Sequence, residues 1–314
     1  MKKTLVAVAA MAAIAGAHAD VTITGVLESS IVSSGGVRSI GGGSNGTEID
    51  FGVSEDLGSG LKAIGSVALL VAPNAGSIAT GSYATHGNAS TTTTATGSVS
   101  AYNSYIGLSS SDAGTLKIGQ LFSTVFLATA AGDPTGHAGY SNALAGNGAG
   151  NAFQVANSLN YSSPKISGFT LNYQKTMNST LVAQQYTGYG LDFSAGAFNI
   201  ATAYAVETPT STTTRKETAV GANYDLGVVK LFVATTSITQ SATATKSYTD
   251  YGVSVPVGAV TLAANAGTGY NNLSNVGASI TYAFSKRTSA YYAYGNGKTT
   301  LNTVTQQVGI RHNF

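Results

Sequence analysis

Apolar positions along this chain recur at every second residue. In 47–55, Ile49, Phe51 and Val53 alternate with Glu48, Asp50, Gly52 and Ser54; in 61–69, Leu61, Ala63, Val67 and Leu69 lie opposite Lys62 and Ser66. The last residues repeat the pattern, with Val308, Ile310, His312 and Phe314 against Gly309, Arg311 and Asn313. A period of two puts alternate side chains on opposite faces of a strand. Each segment therefore predicts a strand with one greasy face and one small or polar face. Such segments begin near Val21, Thr47, Leu61, Ser98, Thr115, Phe153, Phe169, Tyr189, Asn199, Ala219, Val228, Ser247, Val260, Val276, Ser289 and Thr305, which makes sixteen.

The connections come in two sizes. Short ones, at 56–60, 109–114, 163–168, 195–197, 225–227, 256–258 and 285–287, carry the Gly, Pro, Asp and Ser of tight turns. Long, polar, low-complexity ones fall roughly at 33–46, 72–97, 121–152, 176–188, 208–217, 238–245, 270–273 and 295–302. Alternation of the two sizes predicts an all-β chain: a transmembrane antiparallel up-and-down β-barrel of sixteen strands, with short turns at one end and long loops at the other.

Composition strengthens that reading. Only 9% of residues are charged while 43% are hydrophobic, and the chain is rich in Gly. A soluble surface so poor in charge would associate. Lys2 and Lys3, the apolar run Thr4–Gly16 and Ala17-His18-Ala19 predict a signal peptide over 1–19, cut between Ala19 and Asp20. Its removal leaves 314 − 19 = 295 residues, about 18 per strand and connection, with cations and anions in balance at 13 each. A tilted spanning strand uses ~9–11 of those residues. The balance implies no nucleic-acid partner. With no Cys, thiolate metal sites, Cys nucleophiles and disulfides are excluded. The 17 Tyr and 10 Phe fall largely near strand ends, as interfacial girdles require; Tyr161, Tyr173, Tyr189, Phe193, Tyr204, Tyr224, Tyr282, Phe284 and Tyr291 are read that way.

A series of motifs, in order and correctly spaced, then resembles the general-porin family of Gram-negative bacteria, in its beta-proteobacterial and neisserial branch. Asp20–Val26 resembles the family's DVTLYGV opening, and Asp56–Ala63 contains its GLKA. Tyr105–Leu108 with Gly114–Gly119 resembles YVGL…GTVTLG, Asn157–Pro164 resembles NSVRYDSP, and Ser285–Thr288 with Ala293–Gly295 resembles LSKRT…AYG. Val308–Phe314 resembles the terminal VGLRHKF. The resemblance implies homotrimers in the outer membrane, passive diffusion of small hydrophilic solutes and ions, and a long third loop, here Leu121–Ala152, folded into the lumen. It also implies that Phe314 is read by the barrel-assembly machinery. The chain departs from the family where Gln120-Leu121 replaces Arg-Gln, where Gln154, Ala156 and Asn160 stand in RVDNSVRY, and in lacking the third-loop PEFGG. Those losses of charge predict a weakly charge-selective pore.

Pore and constriction candidates are Lys62, Lys117, Arg311, Glu48 and Asp50, on the polar parity of their strands, with Asp133 in the third loop. Each has a blander role as a rim or paired charge, and Asp133-Pro134 as a turn. Catalytic, cofactor and metal sites are not expected. Gly42-Gly43-Ser44-Asn45-Gly46 matches G-x-S-x-G but lies in a glycine loop, and His86, His137 and His312 lack ligand spacing. The alternative to a channel is a secreted or surface structural, adhesive β-protein. Against it, no strict repeat period appears. A sugar-selective barrel stands between the two.

Overall fold

The computed structural model describes residues 19–41, 46–72, 77–78, 85–86, 101–135, 153–177, 184–209, 214–240, 244–272, 274–298 and 303–314. Sixteen long strands form one circuit. The first five are β1 (Ala19–Ser34), β2 (Thr47–Gly58), β3 (Leu61–Ala72), β4 (Ala101–Ser110) and β5 (Gly114–Phe122), followed by a short helix α1 (Thr124–Ala130). Next come β6 (Gln154–Ser162), β7 (Phe169–Thr176), β8 (Gln184–Ala195), β9 (Phe198–Pro209) and β10 (Arg215–Asp225). The circuit is completed by β11 (Lys230–Gln240), β12 (Lys246–Val257), β13 (Val260–Gly269), β14 (Ser274–Ala283), β15 (Thr288–Lys298) and β16 (Thr303–Asn313). Three short segments, Val37–Gly41, Ser77–Ile78 and Thr85–His86, add to β1, β3 and β6 without interrupting the order.

Every strand of the circuit pairs antiparallel with the next, and β16 returns to β1. One strand makes the seam. The first half of β1, Ala19–Val26, pairs with β2, and its second half, Val26–Ser34, pairs with β16. Phe314 and Gly25 finish it with reciprocal backbone hydrogen bonds of 3.1 Å. Closure matters because hydrocarbon offers no partner to an unpaired strand edge. Among the described residues no helix is long and apolar enough to cross a membrane.

The starts read from the pattern fall close to the observed ones except at β8 and β10. These begin at Gln184 and Arg215, ahead of Tyr189 and Ala219. Their extra residues, such as Gln184-Gln185 and Arg215-Lys216-Glu217, are polar and read as loop. Backbone pairing with the neighbouring strands continues through them, and the inward Arg215 and Glu217 satisfy each other in an ion pair of 2.7 Å.

Alternation sets the two faces. Outward positions are apolar and open: Val21, Ile23, Ile31, Ile106, Leu171, Tyr251 and Ile310 are each 58–70% exposed. Inward positions hold Glu28, Gln174, Glu207, Glu217, Asp250, Asn265 and Gln307, all buried. That distribution inverts the soluble rule and fits a barrel with lipid outside and a polar lumen. Tight turns close the short end. Gly227, at φ +82°, donates its N–H to Asp225 Oδ1 at 2.8 Å, a local bond that fixes the turn between β10 and β11.

The outer face is uneven. Tyr161, Tyr173, Tyr189 and Tyr204 sit directly opposite one another on β6 to β9. Phe169, Phe193, Phe198 and Tyr224 form a second chain of ring contacts with centroids 4.5–6.5 Å apart. Tyr282 and Phe284 meet at 5.2 Å near the next turn end. Tyr291 corrects the expected girdle: it is 7% exposed, and Tyr292 faces out instead. Adjacent residues of one strand cannot share a face. The Tyr291 ring packs on the lumen side, against Gly309 and under the Arg311 guanidinium, 6.0 Å from its centroid.

Candidate functional site

The site is the lumen and the segment that narrows it. After Gly119 the register of β5 against β6 slips, and opposite it Asn157 adopts φ +50°. A bulge of this kind re-aims a strand end. Here it turns Leu121–Thr124 inward. The Ser123 N–H donates to the Phe153 carbonyl at 3.0 Å, while its Oγ accepts from the Phe126 N–H at 2.9 Å and caps α1. Phe122, Phe126 and Phe153 clasp the entry, with centroids 4.5–5.4 Å apart.

Helix α1 then lies on the inner wall of β8 to β11. Val125 and Ala128 pack with Val155, Tyr186, Ala201, Ala203, Ala205 and Ala219 in an apolar cluster inside the barrel. Wall residues there are small for a physical reason: backbone meets backbone. A Cβ on Gly221 would run into the Ala128 carbonyl, one on Gly132 into the Val233 carbonyl, and one on Gly252 into Pro134. Hydrogen bonds fix the seat. Thr124 Oγ1 and Tyr186 Oη are 2.8 Å apart, and Asn223 Nδ2 donates to the Ala131 carbonyl at 2.8 Å. Asp133 Oδ1 accepts from Thr135 N–H at 2.7 Å and Thr135 Oγ1 at 2.6 Å, which closes the turn after α1. The described part of the third connection, 123–135, thus occupies lumen space. The rest of that segment, with Tyr140 and His137, lies outside the described residues, as does Gly42–Asn45.

The six sequence candidates are spread around the barrel and do not form one cluster. Lys62 points inward next to the short turn end, across from Asp56 and Ser109, and is exposed. Lys117 faces inward on β5, its ammonium 4.3 Å from the Tyr105 ring centroid. Asp133 is buried at the end of the inserted segment. Glu48 and Asp50 face inward on β2. Arg311 lies across the seam from Glu28, donating from Nε at 3.0 Å and Nη2 at 2.8 Å to the same carboxylate oxygen. Phe314 is at the closing pair with Gly25, and Ala19 and Asp20 open β1 opposite Glu55 and Ser54.

Sequence reasoning missed most of the inner charge. Glu28, Asp192, Glu207, Arg215, Glu217, Lys230, Lys246 and Asp250 all take inward parity. Arg215 Nη2 meets Glu217 at 2.7 Å, with Glu207 3.9 Å from its Nε. Asp225 and Lys230 face each other directly across β10 and β11. The signal lies in the parity of each strand, the same signal that marks Lys62, Lys117, Arg311, Glu48 and Asp50. Among the described residues no group of His, Asp and Glu is arranged to hold a metal. His312 faces out, with Nδ1 2.9 Å from Thr288 Oγ1.

A closed barrel, apolar outside and polar within, with a chain segment seated in its bore, defines a transmembrane channel. A family model described as Gram-negative porin matches residues 6–302, and the chain belongs to that family. It is a channel for passive diffusion across the outer membrane of a Gram-negative bacterium, and the adhesive alternative is set aside. Solved structures share the fold. An anion-selective porin from Comamonas acidovorans superposes with a TM-score of 0.74 at 20% identity, covering 95% of this chain and 100% of that one. OmpT of Vibrio cholerae in its trimer form gives 0.72 at 12% identity, covering 94% and 99%. OmpF of Salmonella typhi in complex with daunomycin gives 0.71 at 14%, covering 95% and 98%. No curated protein matches the chain by sequence.

Proposed function

We propose that the pore passes small hydrophilic solutes and ions with only weak charge selection. The observation that carries this is the pairing of the inner charges. Arg311 matches Glu28, Lys230 faces Asp225, and Arg215 offsets one of Glu207 and Glu217, so much of the field these groups would project is cancelled. With the second carboxylate of that group, Glu48, Asp50, Asp133, Asp192 and Asp250 leave an acidic excess over Lys62, Lys117 and Lys246. Lys117 and Asp133 are the candidates closest to the narrowed bore, Lys62 guards the short-turn mouth, and Arg311 acts chiefly as a seam partner. Reversal potentials in a KCl gradient across planar bilayers test the reading. A mild cation preference is expected; a strong preference for either ion overturns it.

The same reading makes the protein a homotrimer. The outer face of β16 and β1 to β5 is mainly aliphatic, with Ile23, Leu27, Val67, Ile106, Ile118 and Val308 exposed beside the ring of Phe51, while the aromatic rows lie on β6 to β15. Rings with polar tips suit a lipid interface; a smooth aliphatic wall suits a second copy. Cleavage after Ala19 would leave Asp20 as the new N-terminus, where pairing with β2 still begins at Ser54. Phe314 would be offered to the assembly machinery before the seam forms, since its backbone partner Gly25 belongs to the first strand. The ordered motifs support placement in the beta-proteobacterial and neisserial branch.

A further inference from the structure

On the short-turn side of α1 the lumen wall opens into a cavity of about 190 Å³. Its polar lining comes from successive strands: Asn103, Lys117, Asn160, Asn172 and Asp192, with Ser162 between them. Phe122 and Leu127 supply an apolar side, and Leu127 is half exposed. We propose that this cavity is a binding step for a neutral polyhydroxylated solute of monosaccharide size. The inference rests on the channel reading, because such a solute reaches the cavity through the bore.

Three features select that chemistry. First, the lining is mostly amide and hydroxyl. An Asn side chain both donates and accepts, so it can meet a vicinal diol with one hydrogen bond in each direction. Second, part of that capacity is unused. Ser162 Oγ donates to Asn172 Oδ1 at 2.7 Å, and Asn172 Nδ2 donates to Asp192 at 2.8 Å, so these three are already engaged. Asn103 Oδ1 is buried and has no hydrogen-bond partner among the described residues. A buried acceptor left in that state is costly, and turning the amide into the cavity, where a ligand hydroxyl can meet it, relieves that cost. Third, charge is split. Lys117 stands on β5 and Asp192 on β8, three strands away, so an anion meets Asp192 and a cation meets Lys117. A neutral solute avoids both penalties while using either group as a hydrogen-bond partner. The volume lies below the ~300–1,000 Å³ of pockets that hold drug-sized ligands, which suits one sugar ring. The apolar side would take the C–H face of that ring. Weak binding at one stage of a diffusion path raises local occupancy without blocking exit.

Single-channel recording of the full-length protein in planar bilayers, with KCl as carrier and D-glucose as probe, tests the proposal. Millimolar glucose is expected to produce brief current interruptions in the wild type. Asn103→Ala and Asn160→Ala are expected to weaken its apparent affinity about tenfold each, while Asn160→Gln recovers most of the effect. Heat-modifiable mobility confirms that each variant has folded. The proposal fails if KCl current is normal and glucose leaves it unchanged. It fails equally if the Ala variants respond like wild type, or if glycine or acetate interrupts the current better than glucose. A folded barrel that carries no KCl current would remove the channel reading, and this inference with it.

Discussion

The lumen of this porin has two walls that work differently. On one side, β16, β1 and β2 form the closing seam, where charge faces charge across neighbouring strands: Arg311 against Glu28, with Tyr291 stacked beneath the guanidinium. On the other, β8 to β12 hold α1 and the turn after it on a bed of Ala and Gly. The first wall is held by electrostatics and hydrogen bonding in a partly wet space. The second is held by close packing, as in a soluble core. The contrast separates two properties that a channel must keep apart. Seam chemistry should govern whether the barrel stays shut, and seat packing should govern how wide the bore is.

The largest expected effect is on the seam. Arg311→Ala removes the guanidinium from a carboxylate with no side-chain exposure. Breaking a buried pair in this direction costs about 3 kcal/mol or more. Glu28→Ala should cost less, because Arg311 keeps 28% side-chain exposure to the lumen and can be hydrated there. The measurement is the urea midpoint for loss of heat-modifiable mobility. Equal losses from the two variants would contradict the asymmetry, and a large change in the KCl conductance of the surviving folded fraction would contradict the division between walls.

Second comes the seat. Gly221→Val places side-chain atoms where the Ala128 carbonyl and the Gly132 N–H now lie. Overpacking of this kind costs about 1–3 kcal/mol if nothing moves. The inserted segment can move, whereas the strand is locked in its ladder with β9 and β11. Relief should therefore come by lifting α1 off the wall. The displaced segment moves further into the bore, so single-channel conductance is expected to fall, with the urea midpoint nearly unchanged. A fall in stability with unchanged conductance would show that the strand had yielded instead.

Much of this was legible in the sequence, and the exceptions share one cause. Strand number, alternation and the two connection sizes follow from period-two patterning, because lipid outside and water inside impose opposite demands on adjacent residues. The seat is hidden because its demand is for size, not polarity. Ala201, Ala203 and Ala205 alternate with Thr202, Tyr204 and Val206, so the inward face of β9 looks apolar and neither face reads as lumen. An inward run of Ala and Gly on consecutive strands is the trace that an inserted segment leaves. Tyr291 was misread for a related reason: composition cannot say which of two adjacent Tyr faces lipid, but the parity set by Ala293 and Gly295 can. The charged interior was underestimated although parity marks each charge, and the folded register also reveals charges brought together, such as Arg215 with Glu217.

The smallest effect tests whether the seat is pinned or merely filled. Tyr186 is fully buried, and its hydroxyl lies 2.8 Å from Oγ1 of Thr124, the first residue of α1. Tyr186→Phe keeps the ring in the apolar cluster and removes only the hydroxyl. A neutral hydrogen bond of this kind contributes about 0.5–1.5 kcal/mol. That sum is too small to release α1, since Val125, Ala128 and the Asn223 bond to the Ala131 carbonyl remain. It is large enough to shift the balance between seated and briefly lifted states by roughly fivefold, taking 1.4 kcal/mol as a factor of ten. Mean conductance should therefore hold while open-channel current noise rises. Thr124→Val should produce noise of the same kind but no larger, since the Tyr186 hydroxyl also faces the Val125 backbone, and the double variant should add nothing to Tyr186→Phe, because the Thr124 bond is lost in both. Additive noise from the pair would mean that the two hydroxyls act separately and that packing alone holds the constriction. In that case the two walls differ in composition but not in how firmly they are fixed.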